Sequence, residues 1–245
     1  MMKITSYHRN RNSLIYLTVF LVLVNLVAIA MGNLQISRLV RLCSLAFFVT
    51  YYLLANGQKN KWITIALSVL LLKDIFFQFY EFSWGYKFYL GLGSLAYFCI
   101  LKDRLPGVSN MSFNPVIIGI TVLLVLANTY TLYMLMGMLS YTFNDNFEIA
   151  LFYVYGALLI IIAVAAVINN NKYNSNRSLV YLFLALAFIF SDIAALFAYY
   201  FGQEELYYID RLFFIAAGGL LLNYGLNTQD AREEFYQYEM IDKKL

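Results

Sequence analysis

Residues 178–201 read SLVYLFLALAFIFSDIAALFAYYF, and they decide the fold. The stretch contains neither proline nor glycine, and its one charge is Asp192. A helix crossing the hydrocarbon of a bilayer needs about 20 mostly apolar residues. A surface helix of a soluble protein is apolar along one stripe only, whereas this one is apolar all round. The segment reads as a transmembrane helix with a carboxyl group buried in it.

The same pattern recurs along the chain. Apolar runs of membrane-spanning length lie at Ser13 to Gly32, Ile36 to Ala55, Trp62 to Phe82, Trp84 to Leu101, Pro115 to Ser140, Ile149 to Ile168, Ser178 to Phe201 and Ile209 to Asn227. Eight spans are therefore expected, with seven as the fallback, because only Ser83 separates the third from the fourth and the second contains Arg41. Pro115 suits the first turn of a helix, where its missing N–H leaves no bond unmade. The longer connections are Lys102 to Asn114 and the Asn-rich stretch Asn169 to Arg177. The tail 228–245, charged and aromatic, is expected to lie as a short helix at the membrane surface.

The composition agrees. Of 245 residues, 62% are hydrophobic and 13% charged, against about 45–50% and about 25% in a soluble domain. A water-soluble globule and a disordered chain are both excluded. The net charge of +3 is too small to point to nucleic acid. Cys43 and Cys99 lie in apolar runs, which suggests no disulfide framework, and the single histidine, His8, sits in the polar N-terminal segment. Chemistry that needs two histidine ligands or a buried histidine base is thereby excluded, and neither a metal nor a cofactor is expected.

Charge sets the orientation. If the N-terminus is cytoplasmic, that side receives Lys3, Arg9, Arg11, Lys59, Lys61, Lys102, Arg104, Lys172, Arg177, Arg232, Lys243 and Lys244, and the other side Arg38, Arg41, Lys87 and Arg211. Twelve against four follows the excess of cationic residues in cytoplasmic loops, and it alternates only with all eight spans. Both termini are expected in the cytoplasm, in a bacterial inner membrane. Lys3, Arg9 and Arg11 ahead of an apolar run ending in Ala28-Ile29-Ala30 also resemble a signal peptide, but that run is long for one, and the topology works with it retained.

Charges deep within a span are rare and mark sites. Three are read as such: Lys73, Asp74 and Asp192. Asp74 lies about twelve residues into the third span and Asp192 about fourteen into the seventh, so at about 1.5 Å per residue their depths match. Lys73-Asp74-Ile75 is followed by Phe79, and Ser191-Asp192-Ile193 by Phe197. Each is the third helix of a four-helix half, followed by a glycine-bearing helix (Gly91 and Gly93; Gly218 and Gly219). A parallel four-plus-four repeat is expected, with half-repeats at about 13–101 and 115–227. Asp74, Gln78 and Glu81 fall at i, i+4 and i+7, one polar stripe on a continuous helix. The stripe reads either as a water-accessible wall or as packing hydrogen bonds. Lys73 points about 100° away from Asp74 and is placed to neutralise Asp192. Asp74 is then expected to be the protonated partner, or to be capped by Ser94 or Tyr97. Arg41 is expected to snorkel to the surface, and Lys87, Arg41 and Arg211 to meet a lipid phosphate. Asn25, Asn128 and Asn223 read as packing amides.

Two stretches carry a family resemblance: ALAFIFSDIAALFAYY at 185–200, and the region from Leu67 onward with KDIFFQFY (73–80) and GLGSLAYF (91–98). They resemble the Asp-bearing helices of the YhhN-like, lysoplasmalogenase-type membrane proteins, whose length and eight spans also agree. The resemblance implies hydrolysis of the vinyl-ether bond of a lysolipid, with Asp74 and Asp192 as the acid/base pair; from their places along the chain, Lys73, Gln78, Ser94, Tyr97 and Arg211 are expected to line the substrate. One protonated and one ionised carboxyl can protonate the vinyl carbon and then activate water. The chain departs from the family at several places. Lys73 stands for a glycine, Ser94 for a histidine three residues before the retained Tyr97, and Phe214 and Gly218 for a tyrosine and a glutamine. A non-catalytic lipid-binding or sensing relative and a proton-coupled transporter are the competing readings. The absence of mid-span helix breakers weighs against the transporter, and a final span without lysine weighs against a retinal protein.

Overall fold

A computed structural model describes residues 2–55, 57–105, 115–139 and 143–227. These residues form eight α-helices and no strand: α1 (Met2–Ala30), α2 (Leu34–Leu54), α3 (Lys61–Phe77), α4 (Ser83–Arg104), α5 (Pro115–Leu139), α6 (Asn146–Tyr173), α7 (Asn176–Phe201) and α8 (Leu206–Leu226). Gly57–Lys59 adds a short 3-10 turn. The tail 228–245, Pro106 and most of the connection to Asn114 lie outside the described residues. So do the side chains of Lys3, His8, Arg9 and Arg11.

Polar residues set the helix starts. The side chains of Asn33, Asn60 and Asp145 accept from the backbone N–H of Ile36, Ile63 and Glu148, and Ser175 forms a capping box with Ser178. Such caps satisfy N–H groups that have no partner within the helix. At the other ends, Asn174 and Gly202 close α6 and α7 in the left-handed region at φ 43° and 66°; Gly adopts it freely and Asn tolerates it.

Six helices are long and apolar enough to cross a membrane: α1 over Asn12–Ala30, α5 over Thr121–Leu139, and α2, α6, α7 and α8 over their full lengths. The protein is an integral membrane bundle. α3 has 17 residues, and α4 carries Lys87, Lys102, Asp103 and Arg104.

Neighbouring helices run antiparallel. Asn25 of α1 bonds Ser44 of α2, Phe77 of α3 packs on Tyr89 of α4, and Ser191 and Tyr181 of α7 meet Asp210 and Tyr224 of α8. The tightest pairs are α3 with α4 and α7 with α8. α4 packs on α6, α8 lies against α1 and α2, and α5 rests mainly on α6. Small residues allow the close approaches, as is usual between membrane helices. A Cβ on Gly218 would lie 2.8 Å from the Phe48 ring, and one on Gly219 2.4 Å from Thr18 Oγ1.

Two expected boundaries move. α3 ends at Phe77, not Phe82. The chain turns through Gln78–Phe82 on i−3 bonds, among them Phe79 N–H to Phe76 O and Tyr80 N–H to Phe77 O. The turn folds onto Gly85, where a Cβ would sit 2.0 Å from the Phe79 carbonyl oxygen. The Asn-rich stretch is helix up to Tyr173 rather than loop, with the buried Asn169 amide bonded back to Ala165 O and the left-handed Asn174 closing the helix. Only Asn174 and Ser175 join α6 to α7.

Candidate functional site

Charge gathers inside the bundle in two linked groups. In the first, Arg41 of α2 donates from Nε (3.0 Å) and Nη2 (3.1 Å) to the two oxygens of Asp74 on α3. Its Nη1 lies 3.6 Å from Asp210 of α8. Asp210 also accepts from Ser191 Oγ at 2.7 Å and from Arg211. Arg41 is 1% exposed and Arg211 0%, and the Arg41 guanidinium lies 3.6 Å from the centre of the Phe214 ring. A two-armed contact of this kind is the geometry of an ionised carboxylate.

The second group joins α3, α4, α6 and α7. Lys73, 1% exposed, donates from Nζ to Tyr155 Oη at 2.8 Å. Tyr155 donates to Asp192 Oδ2 at 2.8 Å, and Tyr97 donates to the same oxygen at 2.6 Å. The ammonium is wrapped by the rings of Tyr89, Tyr155 and Tyr97 at 4.5, 5.1 and 5.6 Å, which partly replace its hydration. Gly93 makes room, since a Cβ there would be 2.4 Å from Tyr155 Cε2. Together the two groups hold three cations, Arg41, Arg211 and Lys73, against three anions, Asp74, Asp210 and Asp192. The balance suits an apolar interior, where an unpaired charge is expensive.

A cavity of about 110 Å³ opens beside the second group. Its walls come from α4 to α7 and the end of α3. They are aromatic and aliphatic, with Tyr86, Tyr89, Leu132, Phe152, Leu196 and Tyr199 prominent. Asp192 is the only charged residue among those described on the wall, and it is partly exposed there.

The structure brings Asp192, Tyr97 and, through Tyr155, Lys73 together. Asp74 does not line this cavity. The expected direct Lys73–Asp192 contact is replaced by the tyrosine bridge. Asp74 is not a proton donor capped by Ser94 or Tyr97, because both of its oxygens accept from Arg41. Arg41 does not snorkel, and Arg211 is turned onto Asp210 rather than toward a surface phosphate. The outward stripe is broken by the end of α3. Gln78 bonds back to the Asp74 carbonyl at 3.4 Å, and Glu81, 60% exposed, pairs with Arg38 at 2.6 Å. The Arg38 bond holds the Glu81 carboxyl below its usual range. Ser94 is buried, and its hydroxyl has no partner among the described residues.

Arg41, Asp210 and Tyr155 were not expected in the site. For Arg41 a signal exists: Ser37, Arg41, Ser44, Phe48 and Tyr52 share the inward face of α2 at helical spacing. Nothing in the sequence separates Tyr155 from the other 21 tyrosines.

No protein-family model, curated protein or solved structure matches the chain.

Proposed function

We propose that the protein is a YhhN-like intramembrane hydrolase that cleaves the vinyl-ether bond of a single-chain lysolipid, with Asp192 as the reacting carboxyl. The observation that carries the reading is the aromatic and aliphatic cavity that ends on one carboxylate. Apolar walls suit a hydrocarbon chain. A carboxyl bonded by Tyr97 and Tyr155 is a positioned group for moving protons to carbon and from water.

The helix pairings support a four-plus-four repeat of eight spans. Asp74 is held by the helix before it (Arg41 of α2) and Asp192 likewise (Tyr155 of α6). α4 and α8 pack across on α6 and α2, and α1 packs on α8, whereas α5 rests mainly on α6. The cavity lies among α4, α5, α6 and α7. Both termini in the cytoplasm of a bacterial inner membrane fit the charge asymmetry of the loops. The two halves have diverged in chemistry: Asp74 is locked as a structural carboxylate, and Asp192 keeps the open position.

The test is aldehyde release by the purified full chain in nanodiscs, with 1-alkenyl, 1-alkyl and 1-acyl lysophospholipids offered in parallel. The 1-alkenyl lipid alone is expected to react, and Asp192→Asn to lose turnover. Release from the acyl lipid, or an Asp192→Asn variant as active as the wild type, overturns the assignment. A non-catalytic lipid-binding role is the second reading, favoured by the engagement of Asp74 with Arg41. It predicts saturable binding of all three lipids without turnover.

A further inference from the structure

Vinyl-ether hydrolysis begins with a proton delivered to carbon, yet Asp192 Oδ2 accepts hydrogen bonds from the hydroxyls of both Tyr97 and Tyr155 and has no proton of its own to give at that oxygen. Asp74, the other carboxyl of the resembling family, is occupied by Arg41 and lies off the cavity. The proton has to come from elsewhere. Behind the cavity wall stands Lys73, buried, facing the rings of Tyr89 and Tyr97 and hydrogen-bonded to Tyr155. An ammonium can only donate, so Tyr155 Oη accepts from Lys73 Nζ at 2.8 Å, and the one hydroxyl hydrogen of Tyr155 is left for Asp192 Oδ2 at 2.8 Å, a shorter contact than the 3.3 Å to Tyr97 Oη.

We propose that Lys73, Tyr155 and Asp192 form a proton relay that loads Asp192 with the proton the reaction consumes, and that Gly93 is the positioning residue that admits Tyr155 between the other two. The relay rests on the hydrolase reading for its purpose, but not for its existence.

The steps balance. An N–H bond of Lys73 breaks as its proton passes to Tyr155 Oη, and the O–H bond of Tyr155 breaks as its own proton passes to Asp192. Lys73 is left an amine, Tyr155 is unchanged, and Asp192 is a carboxylic acid. Asp192 then gives its proton to the vinyl carbon β to the ether oxygen, the one that carries the alkyl chain; the π electrons form the new C–H bond and leave an oxocarbenium ion. Water adds to that ion, and its proton goes to the Asp192 carboxylate and back through Tyr155 to Lys73. The hemiacetal breaks its bond to the glycerol oxygen as its hydroxyl proton moves to that oxygen. The products are an aldehyde and an alcohol, and the resting ion pair is restored.

The surroundings suit a reversible transfer. The rings of Tyr89 and Tyr97 from α4 and Tyr155 from α6 face the ammonium, with Asp192 of α7 beyond Tyr155. The nearest further charges, Arg41, Asp74 and Asp210, are paired with one another. The charged and the neutral form of the Lys73–Asp192 couple have the same net charge, so the transfer leaves the balance of the core intact. Lys73 acts through Tyr155 and is a positioning residue here, not a catalytic one.

The test uses the full chain in nanodiscs, with infrared spectra of the carboxylic-acid carbonyl stretch at neutral pH and turnover of a 1-alkenyl lysophospholipid. Lys73→Met removes the proton store and the balancing charge. An acid band is expected to appear in that variant, to be absent from the wild type, and to vanish in Lys73→Met/Asp192→Asn. Lys73→Arg keeps the charge but holds its protons too tightly to release them. It is expected to fold, to show no acid band and to lose turnover. Tyr155→Phe and Gly93→Ala are expected to lower kcat by about 10²–10⁴-fold, the usual worth of a positioned proton donor, with KM unchanged. The relay is overturned if Lys73→Met shows no Asp192 acid band, or if Lys73→Arg or Tyr155→Phe turns over at the wild-type rate. If the wild type does not turn over the vinyl ether, the hydrolase reading fails, and the infrared band alone decides whether Lys73 and Asp192 are coupled.

Discussion

Arg41→Met tests whether charge is built into the core or merely borders it. Arg41 supplies both donors to the side chain of Asp74, at 3.0 and 3.1 Å, and both residues are 1% exposed. Removing it leaves a buried carboxylate without its cation. Breaking a buried pair in this way costs about 3–5 kcal/mol. In a chain of this size each kcal/mol lowers the melting temperature by about 2–4 °C, which gives a loss of about 6–20 °C. Asp210 keeps Arg211 and Ser191, so the damage centres on Asp74, and Arg41→Met/Asp74→Asn is expected to recover part of the loss. The assay is thermal unfolding in one fixed detergent, followed by circular dichroism, across wild type, both single variants and the double. An Arg41 side chain that only reached for lipid phosphate would give a loss below about 1 kcal/mol and no coupling to Asp74. That outcome would refute the buried network.

Three further outcomes follow from the packing. Gly218→Ala places a methyl group 2.8 Å from the ring of Phe48, which is 0% exposed; overpacking of this kind costs about 1–3 kcal/mol, and the same melting assay measures it. Glu81 has its carboxyl held below the usual range by Arg38, so the pair stabilises the fold above the ordinary carboxylate range and loses that contribution as pH falls through the folded value. Because Glu81 is 60% exposed the contribution is small, and Glu81→Gln should leave the neutral-pH melting temperature nearly unchanged while flattening its fall in acid. For topology, cysteines introduced as Asn144→Cys and Glu205→Cys should react with an impermeant thiol reagent from one side of the membrane, and Asn174→Cys from the other; labelling of all three from one side contradicts the alternation of eight spans.

The eight helices among the described residues were legible as apolar runs, and for the six long and apolar enough to cross a membrane the reason is that such a helix writes its length into the chain. The boundaries that moved were decided by contacts across helices or within a single turn. α3 stops at Phe77 where the chain turns on i−3 bonds onto Gly85, which leaves room for the Phe79 carbonyl, and α6 continues through Asn169 with its amide bonded back to its own helix. In the site, Asp192, Tyr97 and Lys73 were legible from a rare charge at mid-span and from a motif. Arg41, Asp210 and Arg211 stand near the ends of their apolar runs, where a charge normally reaches water. Their burial comes with pairing among themselves and with Asp74 across three helices, which no single helix shows. The stripe Asp74, Gln78, Glu81 failed for the complementary reason: it assumed a helix that the turn at Gln78 interrupts.

The central claim is that a lipid chain enters the cavity between α4 and α7 and ends on Asp192. Photolabelling measures this most directly, with the full chain in nanodiscs and a 1-alkenyl lysophospholipid carrying a diazirine in its chain. Label is predicted on cavity-wall residues such as Leu132, Leu159 and Leu196, and it should be lost to competition by unlabelled lipid. Label confined to outward-facing residues such as Phe20, Leu54 and Leu123, with no competition, would contradict it.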